Sequence, residues 1–272
     1  MSPLPHAIKN FYGRSQKWYC ASFWGRVVIY SVGVLSVFLK SSPPITPLVV
    51  AVSSVVFELF LWHANCLRGK AEALKRMDEL SDGFGYIIPK TELASIEMGT
   101  GDITNLSFPE GLEYHTREEV SPRRALLKLH ESSWFSHELS GHAALRLLII
   151  GGLLVGVGFI LAIVAPYVST RSSEIQAYTQ IATSIVLSFV SLGLLRRGIE
   201  LRLFAKFSGE TAGKAERMFD DSDLSESTVI RLLTEYQIAR SHAPSHGSKI
   251  WEKKKKELNR TYQKNFPNKK NE

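Results

Sequence analysis

Residue types that could support enzymatic or metal chemistry are present, but they do not form a recognisable site. His130, His137 and His142 are separated by seven and five residues. That spacing does not bring all three to one helix face, so it does not predict a metal centre. Cys20 and Cys66 are the only cysteines, and neither belongs to a CxxC pair. Because no phosphate-binding loop or nucleophile elbow occurs either, we expect a non-enzyme without catalytic residues, metal or cofactor.

A basic cluster is the first candidate for ligand binding. Arg123, Arg124 and Lys128 follow Ser121-Pro122, a pair typical of a helix N-cap and first helical residue. Free N–H groups at a helix N-terminus attract phosphate, and nearby cations strengthen that attraction. The cluster therefore predicts an anion site.

Polar residues inside an apolar stretch form a second candidate site. They recur at spacings of four, four, four and three, which places them in one stripe along a helix: Gln176, Gln180, Ser184, Ser188 and Ser191. A lipid-facing helix needs no such stripe, whereas a helix contact or a water-filled lumen does. We therefore expect either hydrogen bonding within a bundle or a pore lining in an oligomer.

One pair of opposite charges is expected within the apolar stretches. Glu58 is the only carboxylate well inside one of them, and an acidic group there is costly unless it has a partner. Counting back across the preceding turn places Arg26 within about one helical turn of the same depth. An Arg26–Glu58 pair is thus plausible. Alternatively, both side chains extend separately to the membrane interface.

The elements that position these residues are four apolar stretches of about 20 residues each, the length needed to cross a bilayer. They run over about 23–39, 47–66, 147–165 and 175–195. Short turns join the first to the second and the third to the fourth. The overall composition of 44% hydrophobic and 22% charged residues is therefore an average over nearly uncharged apolar stretches and a strongly charged remainder. We predict an all-α membrane protein with four transmembrane helices arranged as two hairpins.

The basic residues predict the orientation. All but three of the 33 lysines and arginines lie outside the spans and their short turns, and cytoplasmic segments retain positive charge. Both termini are therefore expected in the cytoplasm. The predicted parts are 1–66 with the first hairpin, a cytoplasmic middle segment 67–146, the second hairpin 147–195, and a helical cytoplasmic tail 196–272 with a basic end.

Local signals predict further helices in the cytoplasmic parts. The second span should continue as a helix until Asp82-Gly83-Phe84-Gly85, and residues 85–120 should be mostly irregular. A helix should start at Ser121-Pro122 and lead to the third span. Two more are expected in the tail, over about 226–240 and from about residue 250.

Three stretches together resemble the SMODS-associated four-transmembrane effector family of bacterial anti-phage defence operons. They are Glu131–Ser140 (ESSWFSHELS), Leu232–Pro244 (LLTEYQIARSHAP) and Ile250–Tyr262, with its Ile250-Trp251, Leu258-Asn259-Arg260 and Tyr262. The paired hairpins agree, so the resemblance covers nearly the whole chain.

The resemblance implies a multi-pass protein of the bacterial inner membrane that acts with a nucleotide cyclase. A cyclic oligonucleotide messenger would control it, and the protein would oligomerise to form a pore or disrupt the membrane. The expected partners are thus the lipid bilayer, the messenger and further copies of the chain, with no DNA or RNA. Alternative hypotheses are a small channel or transporter, or a membrane-anchored scaffold that recruits a soluble partner.

Overall fold

A computed structural model describes residues 4–38, 46–87, 91, 120–168, 193–221, 223–244 and 248–266. Within these residues all regular secondary structure is helical, and no strand occurs. The predicted all-α class is therefore confirmed for this part of the chain. Most of the segment predicted to be irregular, residues 88–119 apart from Thr91, lies outside it.

The described residues form six α-helices. They are α1 (Leu4–Phe38), α2 (Thr46–Phe84), α3 (Pro122–Val168), α4 (Leu194–Arg217), α5 (Glu226–His242) and α6 (Ser248–Asn265). A short 3-10 turn, Met218–Asp220, follows α4. The first three helices contain 35, 39 and 47 residues, so each is longer than the apolar stretch within it.

The predicted helix ends around the middle segment are confirmed. Helix α2 stops at Phe84, and Gly85 follows with a φ of +72°, a left-handed conformation that glycine adopts without steric cost. The Gly85 N–H donates to the Ser81 carbonyl at 2.9 Å. Helix α3 starts at Pro122, and the Ser121 hydroxyl accepts the Arg124 N–H at 3.2 Å. Both ends are thus set by local sequence.

The chain divides into two compact units. Unit 1 comprises Met1–Arg14, Cys66–Ala143 and Leu201–Glu272, and unit 2 comprises Ser15–Asn65 and Ala144–Glu200. Helices α1 to α4 each contribute residues to both units.

Unit 1 has a buried core of its own. Leu126 and Leu129 of α3 pack with Phe204 of α4 and with Val229 and Leu233 of α5. A second cluster joins α1 and α2: Ala7, Phe11, Leu67, Ala71 and Leu74. The spacings of three, four and seven residues within each helix place these side chains on one face. Unit 1 therefore excludes water in the manner of a soluble helical domain.

Small residues allow α3 and α4 to approach closely in unit 1. Ser133 and Ser140 of α3 and Ser208 of α4 are fully buried. Gly209 lies against His137, whose Nδ1–H donates to the Ala205 carbonyl at 2.7 Å. A Cβ at residue 209 would come within 2.8 Å of that nitrogen. The interface is therefore built by residues with little or no side chain.

Candidate functional site

Large hydrophobic side chains are exposed mainly on unit 2. Only Tyr86, Ile87, Val120, Leu203 and Ile238 among those described belong to unit 1. All the others lie in unit 2, and they include Trp24, Val28, Val52, Val55, Leu59, Trp62, Ile149, Leu153, Phe159, Ile160 and Ile163. Exposed apolar areas of this extent are typical of membrane-contacting or protein-contacting surfaces.

One helix among the described residues is long and apolar enough to cross a membrane. The stretch Pro122–Val157 in α3 contains an 18-residue window with a mean hydropathy of 1.7, of which 24% is buried. This stretch overlaps the first part of the predicted third span, 147–165. The predicted spans at 23–39 and 47–66 lie largely in α1 and α2.

Serine hydroxyls and a glycine join α1 to α2 within unit 2. Ser15 donates to the Ala64 carbonyl at 2.8 Å, and Ser22 donates to the Phe57 carbonyl at 2.7 Å. At Gly25 an added Cβ would overlap the Phe57 ring, so only glycine fits. Small residues and hydroxyl-to-carbonyl bonds are the usual means of helix contact where apolar burial provides no driving force.

The two charges predicted to pair within the first hairpin do contact each other. The Arg26 guanidinium donates to the Glu58 carboxylate. The Arg26 side chain is 13% exposed, whereas that of Glu58 is 69% exposed. The pair therefore lies at the surface of unit 2, one helical turn from the Ser22 contact.

The basic cluster proposed to bind an anion is largely engaged in internal ion pairs. Arg124 Nη2 lies 2.6 Å from Asp82 Oδ1, and the Lys128 ammonium contacts the other oxygen of the same carboxylate. Lys128 is also buried, whereas Arg123 is exposed. Two of the three residues predicted to bind an anion thus connect α3 to the end of α2. The polar stripe from Gln176 to Ser191 lies outside the described residues.

Two of the three stretches that carry the family resemblance meet in unit 1. Tyr236 of α5 is fully buried, and its hydroxyl donates to the Ser132 carbonyl of α3 at 3.0 Å. The Ser136 hydroxyl lies 2.8 Å from the Tyr236 hydroxyl oxygen. Arg240, one turn later, donates from Nη1 to Ser132 Oγ at 3.1 Å. Hydrogen bonds to Ser132 and Ser136 therefore fix the position of α5 along α3.

The third stretch joins the same region of α3 through aromatic contacts. The Tyr262 ring of α6 stacks on Phe135 with centroids 5.6 Å apart, and its hydroxyl lies 2.9 Å from His130 Nδ1. Trp251 meets Phe135 edge to face at 5.7 Å. Residues 130–136 of α3 therefore hold both α5 and α6.

Beside this junction lies a network of buried charges that sequence reasoning did not identify. Arg240 Nε is 3.2 Å from Glu72 Oε2, and Arg68 Nη2 is 3.8 Å from the other oxygen. Lys75 and Glu79 continue the network along α2, 3.5 Å apart. The sequence signal for this network is that charged residues of α2 alternate with the apolar residues Leu67, Ala71 and Leu74.

The network fixes the charge of its members. Burial raises the pKa of Glu72, but Arg240, Lys75, Tyr12 and Arg68 together lower it by more, so the net shift is downward. Burial also acts to lower the pKa of Arg240, yet Glu72 and the tyrosines near it raise that pKa well above its usual value. Both groups therefore remain ionised at neutral pH.

Two of the three histidines considered as metal ligands, His130 and His137, have other contacts. His130 bonds to Tyr262 and His137 to the Ala205 carbonyl. Within the described ranges, no group of three or more His, Cys, Asp or Glu side chains is arranged to hold a metal ion. Comparison of the chain with protein-family models, curated proteins and solved structures gives no match. Its function must therefore be inferred from its own residues and contacts.

Proposed function

We propose that this protein is a membrane effector of the SMODS-associated four-transmembrane type, controlled by an anionic nucleotide signal. The observation that carries the proposal is the contrast between the units. Among the described residues, unit 1 buries most of its large hydrophobic side chains, whereas those of unit 2 are mostly exposed. That contrast is expected when one part of a chain contacts water and the other contacts lipid.

In this proposal unit 2 spans the membrane as two hairpins. The first is formed by the apolar parts of α1 and α2, and the second by α3 and the predicted fourth span at 175–195. The Ser22 hydroxyl bond to the Phe57 carbonyl, at the edge of the first predicted span, suits a setting without competing water. Unit 1 is then cytoplasmic, in agreement with the basic residues of its segments.

The proposed action is pore formation or membrane disruption by several copies of the chain. Four helices with one polar stripe cannot enclose a wide aqueous path alone. A lumen lined by Gln176, Gln180, Ser184, Ser188 and Ser191 requires copies arranged around a closed axis. The messenger expected from the family resemblance is a cyclic oligonucleotide made by a partner nucleotide cyclase.

A dye-release experiment tests this function. Purified protein is reconstituted into vesicles of bacterial phospholipids loaded with a self-quenching dye, and cyclic di- and trinucleotides are added singly. Release should require protein together with one of the nucleotides. The double variant Gln180→Leu/Ser184→Leu should insert normally and release little dye, because its stripe is interrupted. The control Ile149→Leu/Leu153→Ile, on an exposed apolar face of α3, should behave as the natural protein.

The competing hypotheses give different results. Release without any nucleotide, unaffected by the stripe variant, would support a constitutive channel. Absence of release under all conditions, with protein correctly inserted, would support a membrane-anchored scaffold. Either outcome contradicts the proposed function.

A further inference from the structure

A cavity of about 310 Å³ lies in unit 1 between the last turns of α4 and the first half of α5. Its volume falls at the lower end of the range for small-molecule sites, about 300–1,000 Å³. Lys214, Arg217 and Met218 line one side. The other side carries Thr228 and Arg231.

Helical spacing explains how these side chains come to face one space. On α4 and the turn after it, lining residues occur at 214, 217, 218 and 221. On α5 they occur at 228, 231, 232 and 235. The set on α5 follows the i, i+3, i+4, i+7 pattern of a single helix face, and Lys214 and Arg217 lie three residues apart on α4. The cavity is therefore formed by two facing stripes, and its cations come from both.

The cations of the cavity are available to a ligand. No ion pair of Lys214 or Arg217 occurs within the part of the chain that the structure describes. Arg231 Nε lies 3.7 Å from Glu235, but these side chains are 79% and 50% exposed, so that pair is weak. Asp221 and Glu235 also line the cavity, so its three cations face two carboxylates, and the Asp221 carboxylate accepts the N–H of Asp223 at 3.1 Å.

We propose that this cavity binds an organic phosphate of about the size of one nucleotide. Lys214 and Arg217 would neutralise the phosphate, and the Arg231 guanidinium and Thr228 hydroxyl would donate to its oxygens. Met218 and Leu232 supply an apolar surface for a base or sugar. The site contrasts with the cluster around Arg124 and Lys128, whose charges are satisfied by Asp82.

This proposal deepens the proposed function, because it gives the anionic signal a place in unit 1. Its role as the signal site rests on that function, whereas binding itself does not depend on it.

Calorimetric titration of the full chain in detergent micelles tests the site. The probes are adenosine and guanosine monophosphates, their cyclic dinucleotides, inorganic phosphate and uncharged adenosine. At least one nucleotide should bind saturably and more tightly than both phosphate and adenosine. Lys214→Ala/Arg217→Ala should weaken that binding about tenfold or more, since each charge-assisted contact is lost. The control Lys253→Ala/Lys256→Ala removes two exposed charges from α6 and should change it by less than about twofold.

Three results would overturn the site: no saturable nucleotide binding, equal affinity for inorganic phosphate, or equal losses in both double variants. Dye release measured on the same preparation separates this proposal from the previous one. Nucleotide-dependent release without any effect of the Lys214/Arg217 variant would reject the site and keep the function. Binding that the variant abolishes, without release under any condition, would keep the site and reject the function.

Discussion

Replacement of Arg240 by methionine should destabilise unit 1 more than any change at its surface. Arg240 Nε lies 3.2 Å from Glu72, whose side chain is only 8% exposed. Without Arg240 the nearest ion-pair partner of that carboxylate is Arg68, at 3.8 Å. Deleting one member of a buried ion pair costs about 3–5 kcal/mol of stability. Because Arg68 still contacts Glu72, we expect a cost at the lower end of that range. We therefore expect the free energy of unfolding to fall by about 3 kcal/mol.

Urea unfolding of the full chain in micelles, followed by tryptophan fluorescence, measures this loss. The matched control is Arg231→Met on the same helix, where the pair with Glu235 is exposed. It should cost less than about 1 kcal/mol. The double variant Arg240→Met/Glu72→Met should regain part of the loss, because the Glu72 carboxylate no longer lies buried without Arg240, whereas Arg68 loses its contact with Glu72. Equal effects of Arg240→Met and Arg231→Met would refute the assignment of a buried network.

The same variant should show a changed dependence on pH. Burial raises the pKa of Glu72, but Arg240 and Lys75 hold it below its ordinary value of 4.5 in the folded protein. A carboxyl group shifted in this direction stabilises the fold above about pH 4.5 and loses that contribution as the pH falls further. The Arg240→Met variant lacks the charge that lowers the pKa of Glu72 most. The stability gap between the two proteins should therefore be widest near neutral pH and should narrow in acid. A gap that stays constant down to about pH 3 would contradict this reasoning.

Two further predictions concern helix contacts. Gly209→Ala should lower the melting temperature, because its methyl group would come too close to the His137 ring. Gly213→Ala has nothing within 4 Å of the added Cβ and should gain about 0.5–1 kcal/mol of stability from helix propensity. The reverse order of melting temperatures would contradict the α3–α4 packing. Arg26→Leu and Glu58→Leu should each reduce the folded protein in the membrane, and the double variant should recover much of it. A double variant at least as defective as the sum of the single ones would reject the pair.

Local features of the fold could be predicted from sequence because their causes are local. Ser121 and Pro122 provide the capping group and the fixed φ that start α3, and Gly85 provides the left-handed residue after α2. The boundary between apolar and charged segments follows from composition in the same way. These signals act within a few residues and need no knowledge of tertiary contacts.

Contacts between distant helices could not be predicted in this way. The spacing of Arg124 and Lys128 predicts a phosphate site, but both side chains contact Asp82, which lies far earlier in the chain, once α2 and α3 pack together. Likewise, nothing near Tyr236 in sequence indicates that its hydroxyl will bond to Ser132 and Ser136. Choice of partner depends on packing, which periodicity alone does not specify.

The proposed membrane arrangement is tested most directly by labelling single cysteines in intact bacterial cells. Both native cysteines are first replaced by serine, and one cysteine at a time is introduced at Ser42, Ser172, Ser95 or Ser245. With a membrane-impermeant maleimide added outside the inner membrane, the cysteines at 42 and 172 should be labelled. Those at 95 and 245 should react only after the cells are permeabilised. Labelling of 95 and 245 but not of 42 and 172, or external labelling of all four, would contradict two hairpins with a cytoplasmic unit 1.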